Sequence, residues 1–310
     1  MKPDSTLSRR SFAGLGVFAL LFWAAVFAAA YGQAPLYYSN QNQYFLHGLA
    51  AAGRGDLAHD WLATTRDPTP LFSAGIAWMH AHVGDVAFFA TYAVLLGVYF
   101  VSLGALIDAT IGLPRSRPAR FVLLTLLVVV HAAAARVASI YLTGTAVPMY
   151  LHRPMAAIDV PRYLHFGVAG QYLLGPGLQP SAIGVLLLTS LAAFARGRPL
   201  VAAALAAAAC AVHATYLLPA ALLTLAYIFV LVRDGRLWMA ILLGFLTLAA
   251  VLPVVHFVQS VFGPTTTAQY AEAQRILAEV RLPHHAVVGN WFDGIAKLQV
   301  AWVVVGILLS

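Results

Sequence analysis

Four side chains able to move protons or hold a cation lie between positions 56 and 67: Asp56, His59, Asp60 and Asp67, in the stretch GDLAHDWLATTRDPTP. Asp56, His59 and Asp60 stand at i, i+3 and i+4, a spacing that puts three groups on one face of a helical turn. Carboxylates and an imidazole so placed are candidate ligands for a divalent cation, or a general acid or base. Caps and solvated loop charges are the structural reading of the same residues, and Asp67 before Pro68 is a common turn start. Just upstream, YYSNQNQY at 37–44 is dense in hydrogen-bonding side chains and runs into FLHGLA, which carries His47.

These residues need elements to hold them. Asn40 followed three residues later by Gln43 resembles a capping box, and Gly53 is a helix stop, so a short helix is expected over 41–52. A second helix is expected over 70–83, with Thr69 as cap and Pro70 at its first position. Two further polar stretches follow. Residues 139–179 carry Arg153, Asp159, Arg162, His165 and Gln171. Residues 259–296 contain a candidate helix over 267–281. Its apolar stripe is Ala273, Ile276, Leu277 and Val280, with Glu272, Arg275 and Glu279 off it. That pattern fits a helix lying in a membrane interface, or one packed on the rest of the chain.

The remainder is apolar. Of 310 residues, 61% are hydrophobic and 9% charged, with a mean hydropathy of +0.82. Soluble domains carry about 25% charged residues, and a chain this poor in charge cannot cover a globule with polar groups. The fold class expected is all-α: a polytopic transmembrane bundle of about eight spans in one membrane domain. Spans are expected at 12–31, 86–107, 119–138, 180–195, 199–215, 217–232 and 237–258. An incomplete one at 297–310 reads as the front of a longer protein. Residues 70–83 are too short to span and are expected to lie in or re-enter the interface.

The net charge is +7, but the basic residues sit in short clusters between apolar runs and form no continuous face for nucleic acid. Membrane orientation explains them. With the amino terminus in the cytoplasm, Lys2, Arg9, Arg10, Arg115, Arg117, Arg120, Arg196, Arg198, Arg233 and Arg236 all fall inside, ten of the 18 basic residues. That is the positive-inside pattern, and it sets the expected orientation of a multi-pass membrane chain. Residues 32–85 and 259–296 then lie outside. So do Asp56, Asp60, Asp67, Asp85, Asp159, Glu272, Glu279 and Asp293, eight of the 11 acids. Ser8-Arg9-Arg10-Ser11-Phe12 resembles a twin-arginine signal, but a polytopic chain needs no soluble-export route, and an uncleaved first helix is the preferred reading.

Polar groups inside spans are costly and face a cavity or a neighbouring helix. Arg136 sits near a span end and reads as snorkelling. His213 and His256 lie near outer turns, and His131 near mid-span is left unassigned. Cys210, the single cysteine, sits in an alanine-rich run as a buried small residue. No P-loop, HExxH or GxSxG sequence is present.

The stretches YYSNQNQYFLHGLA, DWLATTRDPTPLFS and VHATYLLPA resemble a group of bacterial polytopic membrane proteins. More distantly, the layout is similar to the C-type (GT-C) membrane glycosyltransferases. The resemblance implies an extracytoplasmic loop after the first span as the site where a polyprenyl-phosphate-linked sugar is transferred. It departs from that family where an acidic pair is expected, since this chain has Asn40-Gln41-Asn42-Gln43 there. On this reading Asp60, Asp67 and His47 are the catalytic candidates. Asn40, Gln43, Arg66, Arg153, Arg162, His165 and His213 are substrate-binding candidates, the arginines because guanidinium matches phosphate. Asp56, His59 and Asp60 are the candidate metal ligands. The alternatives are a transporter or lipid-binding protein with Arg136, His213 and His256 along a path, and a non-catalytic assembly partner. A cysteine introduced between Gly32 and Asp85 is expected to react with a membrane-impermeant maleimide in intact cells. One at Arg117 or Arg198 is expected to react only after permeabilisation, and the reverse result overturns the orientation.

Overall fold

A computed structural model of the chain describes residues 16–38, 40–114, 116–142, 173–263, 266–291 and 294–309. Arg153, Asp159, Arg162, His165, Gln171 and Asp293 lie outside the described residues. Every regular element described is helical. In chain order the α-helices are α1 (Val17–Tyr31), α2 (Gln41–Ala51), α3 (Pro70–His82), α4 (Val86–Thr110), α5 (Arg117–His131), α6 (Ala133–Leu142), α7 (Val185–Ala195), α8 (Pro199–Val212), α9 (Leu217–Arg233), α10 (Leu237–Phe262), α11 (Thr267–Arg275), α12 (Pro283–Ala286) and α13 (Gly294–Leu309).

Three helical segments are long and apolar enough to cross a membrane: Val86–Thr110, Ala214–Arg233 and Leu237–Phe262. Four shorter apolar helices are Val17–Tyr31, Pro180–Ala195, Pro199–Val212 and Gln299–Leu308. The 14 residues of α8 rise about 21 Å, against about 30 Å of hydrocarbon. The helix expected over 119–138 is interrupted, because Ala132 takes an extended backbone (φ −65°, ψ 145°). On α10, Trp238, Ile241, Phe245, Leu248 and Leu252 are all more than half exposed, which suits lipid and not water.

The chain divides into two compact units, Met1–Ala132 with Leu174–Val261 and Ala133–Leu173 with Phe262–Ser310. In the first, α4 packs between α1 and α7, α7 packs on α8, and α2 lies along α3. Its core is aromatic, with Phe27, Phe45, Phe88, Tyr92 and Phe100 all fully or almost fully buried. Ala202, Ala203, Ala206 and Ala209 are buried on α8, and such small side chains let helix backbones approach closely. Several polar groups among these helices pair with one another, while the Ser73, Thr125 and Thr247 hydroxyls are buried without a hydrogen-bond partner among the described residues. Ser190 Oγ donates to the Ala202 carbonyl (2.7 Å) and lies 3.1 Å from the Tyr227 hydroxyl, and Ser102 and Thr189 hydroxyls pair at 2.9 Å. His131 Nδ1 faces the Leu127 carbonyl (2.7 Å), so it carries the proton, and Nε2 accepts from Tyr99 at 3.3 Å.

A non-helical stretch, Leu174 to Gln179, runs largely buried through this core. Backbone N–H groups satisfy two of its carbonyls, Ala34 donating to Pro176 at 2.7 Å and Ala182 to Gln179 at 2.9 Å, and side chains serve others. Tyr31 donates to Leu174 (2.9 Å) and Gly175 (3.2 Å), Tyr92 to Gly175, and Gln41 Nε2 to Leu178 (2.8 Å). Gln41 Oε1 meanwhile accepts from the Tyr37 N–H at 2.9 Å, so one buried amide joins the start of α2 to this stretch.

In the second unit α11 is capped by Thr266 Oγ, which accepts from the Gln269 N–H at 3.2 Å. The helix continues as a π turn over Ile276–Arg281. Arg275 pairs with Glu272 at 2.8 Å and Glu279 at 3.6 Å, while Tyr270, Ile276, Leu277 and Val280 stay exposed.

The α2–α3 contact has no room to spare. A Cβ on Gly48 would come within 2.5 Å of the Ser73 carbonyl oxygen and 2.8 Å of Ile76 Cβ. Gly48→Ala is therefore expected to cost about 1–3 kcal/mol through overpacking. Gly75→Ala, with nothing within 4 Å, is expected to be neutral or slightly stabilising. Thermal unfolding of the two variants in detergent checks the difference.

Candidate functional site

The connection between α1 and α4 builds a polar cluster and a cavity beside it. Two helix ends supply its charged pair. At the end of α2 the Gly53 N–H donates to the Ala50 carbonyl and the Arg54 N–H to that of Leu49, both at 3.0 Å. This is a Schellman stop with Gly53 left-handed (φ 74°). At the end of α3 Gly84 is also left-handed (φ 85°). Arg54 and Asp85 each follow such a glycine, and the two turns bring them together.

Arg54 Nη1 lies 3.0 Å from both carboxylate oxygens of Asp85. His80 Nδ1 stands 2.9 Å from Asp85 Oδ1, and the Tyr37 hydroxyl donates to Oδ2 at 3.0 Å. Arg54 also donates to the Tyr37 oxygen and stacks its guanidinium 4.8 Å over that ring. Tyr37 itself is left-handed (φ 64°), an uncommon conformation for a bulky residue, and the cluster holds it there. Burial raises the Asp85 carboxyl pKa, but the bonds from Tyr37 and His80 and the Arg54 charge outweigh it and hold the group below its ordinary value. Burial and the neighbouring Asp85 push the Tyr37 phenol up, so it remains a donor at neutral pH.

Next to this cluster is a cavity of about 660 Å³, lined by Tyr37, Asn42, Gln43, Leu46, Leu49, Arg54, Leu57, Asp60, Trp61 and Leu62. That volume is within the usual range for small-molecule sites. One wall is apolar, from Leu46, Leu49 and Leu57. Trp61 is 76% exposed at the rim. Arg54 and Asp60 are the charged side chains lining it. Compared with protein-family models, curated proteins and solved structures, the chain matches none.

Of the candidates read from sequence, Asp60 and Gln43 line the cavity. Asp60 Oδ1 accepts from the Leu62 N–H at 2.8 Å. That bond fixes the carboxylate, and Oδ2 has no hydrogen bond to any described residue. Asp67 is taken up by a turn, its Oδ1 accepting from the Thr69 N–H at 2.8 Å. His47 Nε2 donates to the Thr65 carbonyl at 3.1 Å and so ties α2 to the following loop. Arg66 donates to the Val261 carbonyl, in the last turn of α10, where helix carbonyls lack partners. Asn40 precedes α2 with helical backbone (φ −67°, ψ −11°) and makes no cap bond, so the expected capping box does not form. Thr69 likewise makes no side-chain cap. His213 packs edge-on against Tyr44 and Tyr216, with ring centroids at 6.3 and 5.6 Å.

The candidate metal ligands are not gathered. Leu57–His59 is a single 3-10 turn with Asp56 before it, and Asp60 leaves it extended (ψ 131°) with its carboxylate folded back on Leu62. Among the described residues no group of three or more His, Cys, Asp or Glu is arranged to hold a metal ion. The cluster on Asp85 is built instead from Arg54 and His80, which sequence reading passed over, and from Tyr37 of the polar stretch at 37–44.

Because the Asp85 pKa is depressed, the cluster contributes stability fully above the ordinary carboxylate range, about pH 4. The contribution disappears as pH falls through the lower folded value. Asp85→Asn is expected to lower the melting temperature at neutral pH and to flatten the acid side of the profile. Melting in detergent between pH 3 and 7 checks it; parallel profiles for the two proteins would refute the assignment.

Proposed function

We propose that this helical membrane protein is a GT-C-like transferase. It takes a sugar from a polyprenyl-phosphate carrier at the outer membrane face, with Asp60 as base. The observation that carries the reading is the cavity. It combines an apolar wall for an isoprenoid chain, an exposed indole able to stack on a sugar face, and the Asn42 and Gln43 amides for hydroxyl groups. Asp60 is the carboxylate among them, pinned by the Leu62 N–H with one oxygen left over. In the reaction the acceptor hydroxyl gives its proton to Asp60, and its oxygen bonds the anomeric carbon. The bond from that carbon to the phosphate oxygen breaks, and the lipid phosphate departs with the electron pair.

The outer-face placement has its own support. Asp85 stands before α4, and Asp108, near the other end of that helix, pairs with Arg196 at 3.3 Å. A separation of 23 residues along a helix is about 35 Å, enough to cross the hydrocarbon. The arginine-rich turn and the cavity thus belong to opposite ends of a helix of spanning length, which supports placing them on opposite membrane faces.

Asp60→Asn is expected to reduce transfer of a radiolabelled sugar from a polyprenyl-phosphate donor by about 10²–10⁴-fold, the usual range for losing a general base. Asp67→Asn is expected to keep most of the activity. Full activity in the Asp60 variant would sink the assignment.

A further inference from the structure

Arg54 has a second role that its ion pair does not account for. It lines the cavity, with its side chain about one-third exposed (34%). Its hydrogen bonds to described residues all leave from Nη1. The Nη2–Nε edge, the fork that grips two oxygens of a phosphate, is not used by them. Tyr37 and Asp85 fix the guanidinium plane, so little rotamer entropy is lost when an anion binds. Asp85 is shared among Arg54, Tyr37 and His80, so its charge is divided over three donors.

We infer that Arg54 anchors the phosphate of an amphipathic phosphoester whose apolar chain lies along Leu46, Leu49 and Leu57. The inference rests on the lipid-phosphate reading of the cavity and deepens it. It assigns the anion to a residue at the end of α2, in place of Arg66, which is engaged at Val261. Asp60, the other charged group of the lining, repels the phosphate and leaves the sugar end of the ligand to its own side.

The test is equilibrium binding by the full chain in phosphatidylcholine nanodiscs, with a polyprenyl monophosphate, the matching neutral polyprenol, and inorganic phosphate as ligands. Wild type is expected to prefer the monophosphate to the polyprenol by about tenfold or more, a common value for a charge-assisted bidentate contact. Arg54→Gln is expected to bring the two within about twofold by weakening only the monophosphate, and Arg54→Lys to retain part of the preference. Asp85→Asn separates charge recognition from support of the fold. It loosens the guanidinium but keeps its charge, so the preference is expected to fall between those of wild type and Arg54→Gln. If Arg54 serves only as a strut, Asp85→Asn and Arg54→Gln weaken both ligands together, and the inference fails. Equal binding of the two lipids by wild type also overturns it, and displacement by equimolar inorganic phosphate overturns the lipid part. An Arg54-dependent preference in a protein that transfers no sugar would remove the transferase reading and keep the anchor. Transfer without any preference would remove the anchor alone.

Discussion

The geometry of the site hangs on one carboxylate. Asp85 receives a guanidinium from the end of α2, an imidazole from α3 and a phenol from the segment after α1, while its own position is set by the start of α4. Each of these groups is incompletely buried, so no single contact is worth much by itself. Their joint effect is geometric: one anion satisfies donors from three pieces of chain, and these can meet only if α2 and α3 lie against each other as they do. The close approach at Gly48 and the packing of Phe45 on Phe72 and Phe88 (centroids 5.9 and 4.9 Å) are the apolar counterpart of the same constraint.

Much of the local structure was legible in the sequence, because it rests on local rules. Gly53 ends α2 as its lack of a Cβ allows, and Pro70 begins α3 where its missing N–H costs nothing. The alanine run of α8 packs closely, as small side chains imply. The Asn40–Gln43 box failed because Gln41, one residue inside it, is drawn to Leu178 across 137 positions. A tertiary partner of that kind leaves no mark in a window of four residues. The same holds for Arg54 and Asp85, separated by 31 positions. The available signal was only that each charge directly follows a helix-stopping glycine.

The Asp56–His59–Asp60 spacing misled for a different reason. The i, i+3, i+4 pattern gathers side chains only while the backbone stays helical through all of them. Here the turn ends at His59, and Asp60 bonds its own backbone two residues on, as Asp does in turns. That same local bond makes Asp60 useful in a cavity. A carboxylate held by one main-chain N–H keeps a defined direction without a charged partner to neutralise it.

The two charged groups of the cavity are therefore held by different physics. Arg54 is fixed by other charged and aromatic side chains, so its orientation depends on the ionisation of Asp85 and on every element that contributes to the cluster. Asp60 is fixed by main chain within its own turn, and nothing in the cluster touches its carboxylate bond to Leu62. Loss of the Asp85 charge removes the partner of the cation and leaves the bond that orients the carboxylate. The orientations of the guanidinium and of the carboxylate are in this way separable, one resting on long-range tertiary contacts and the other on a single turn.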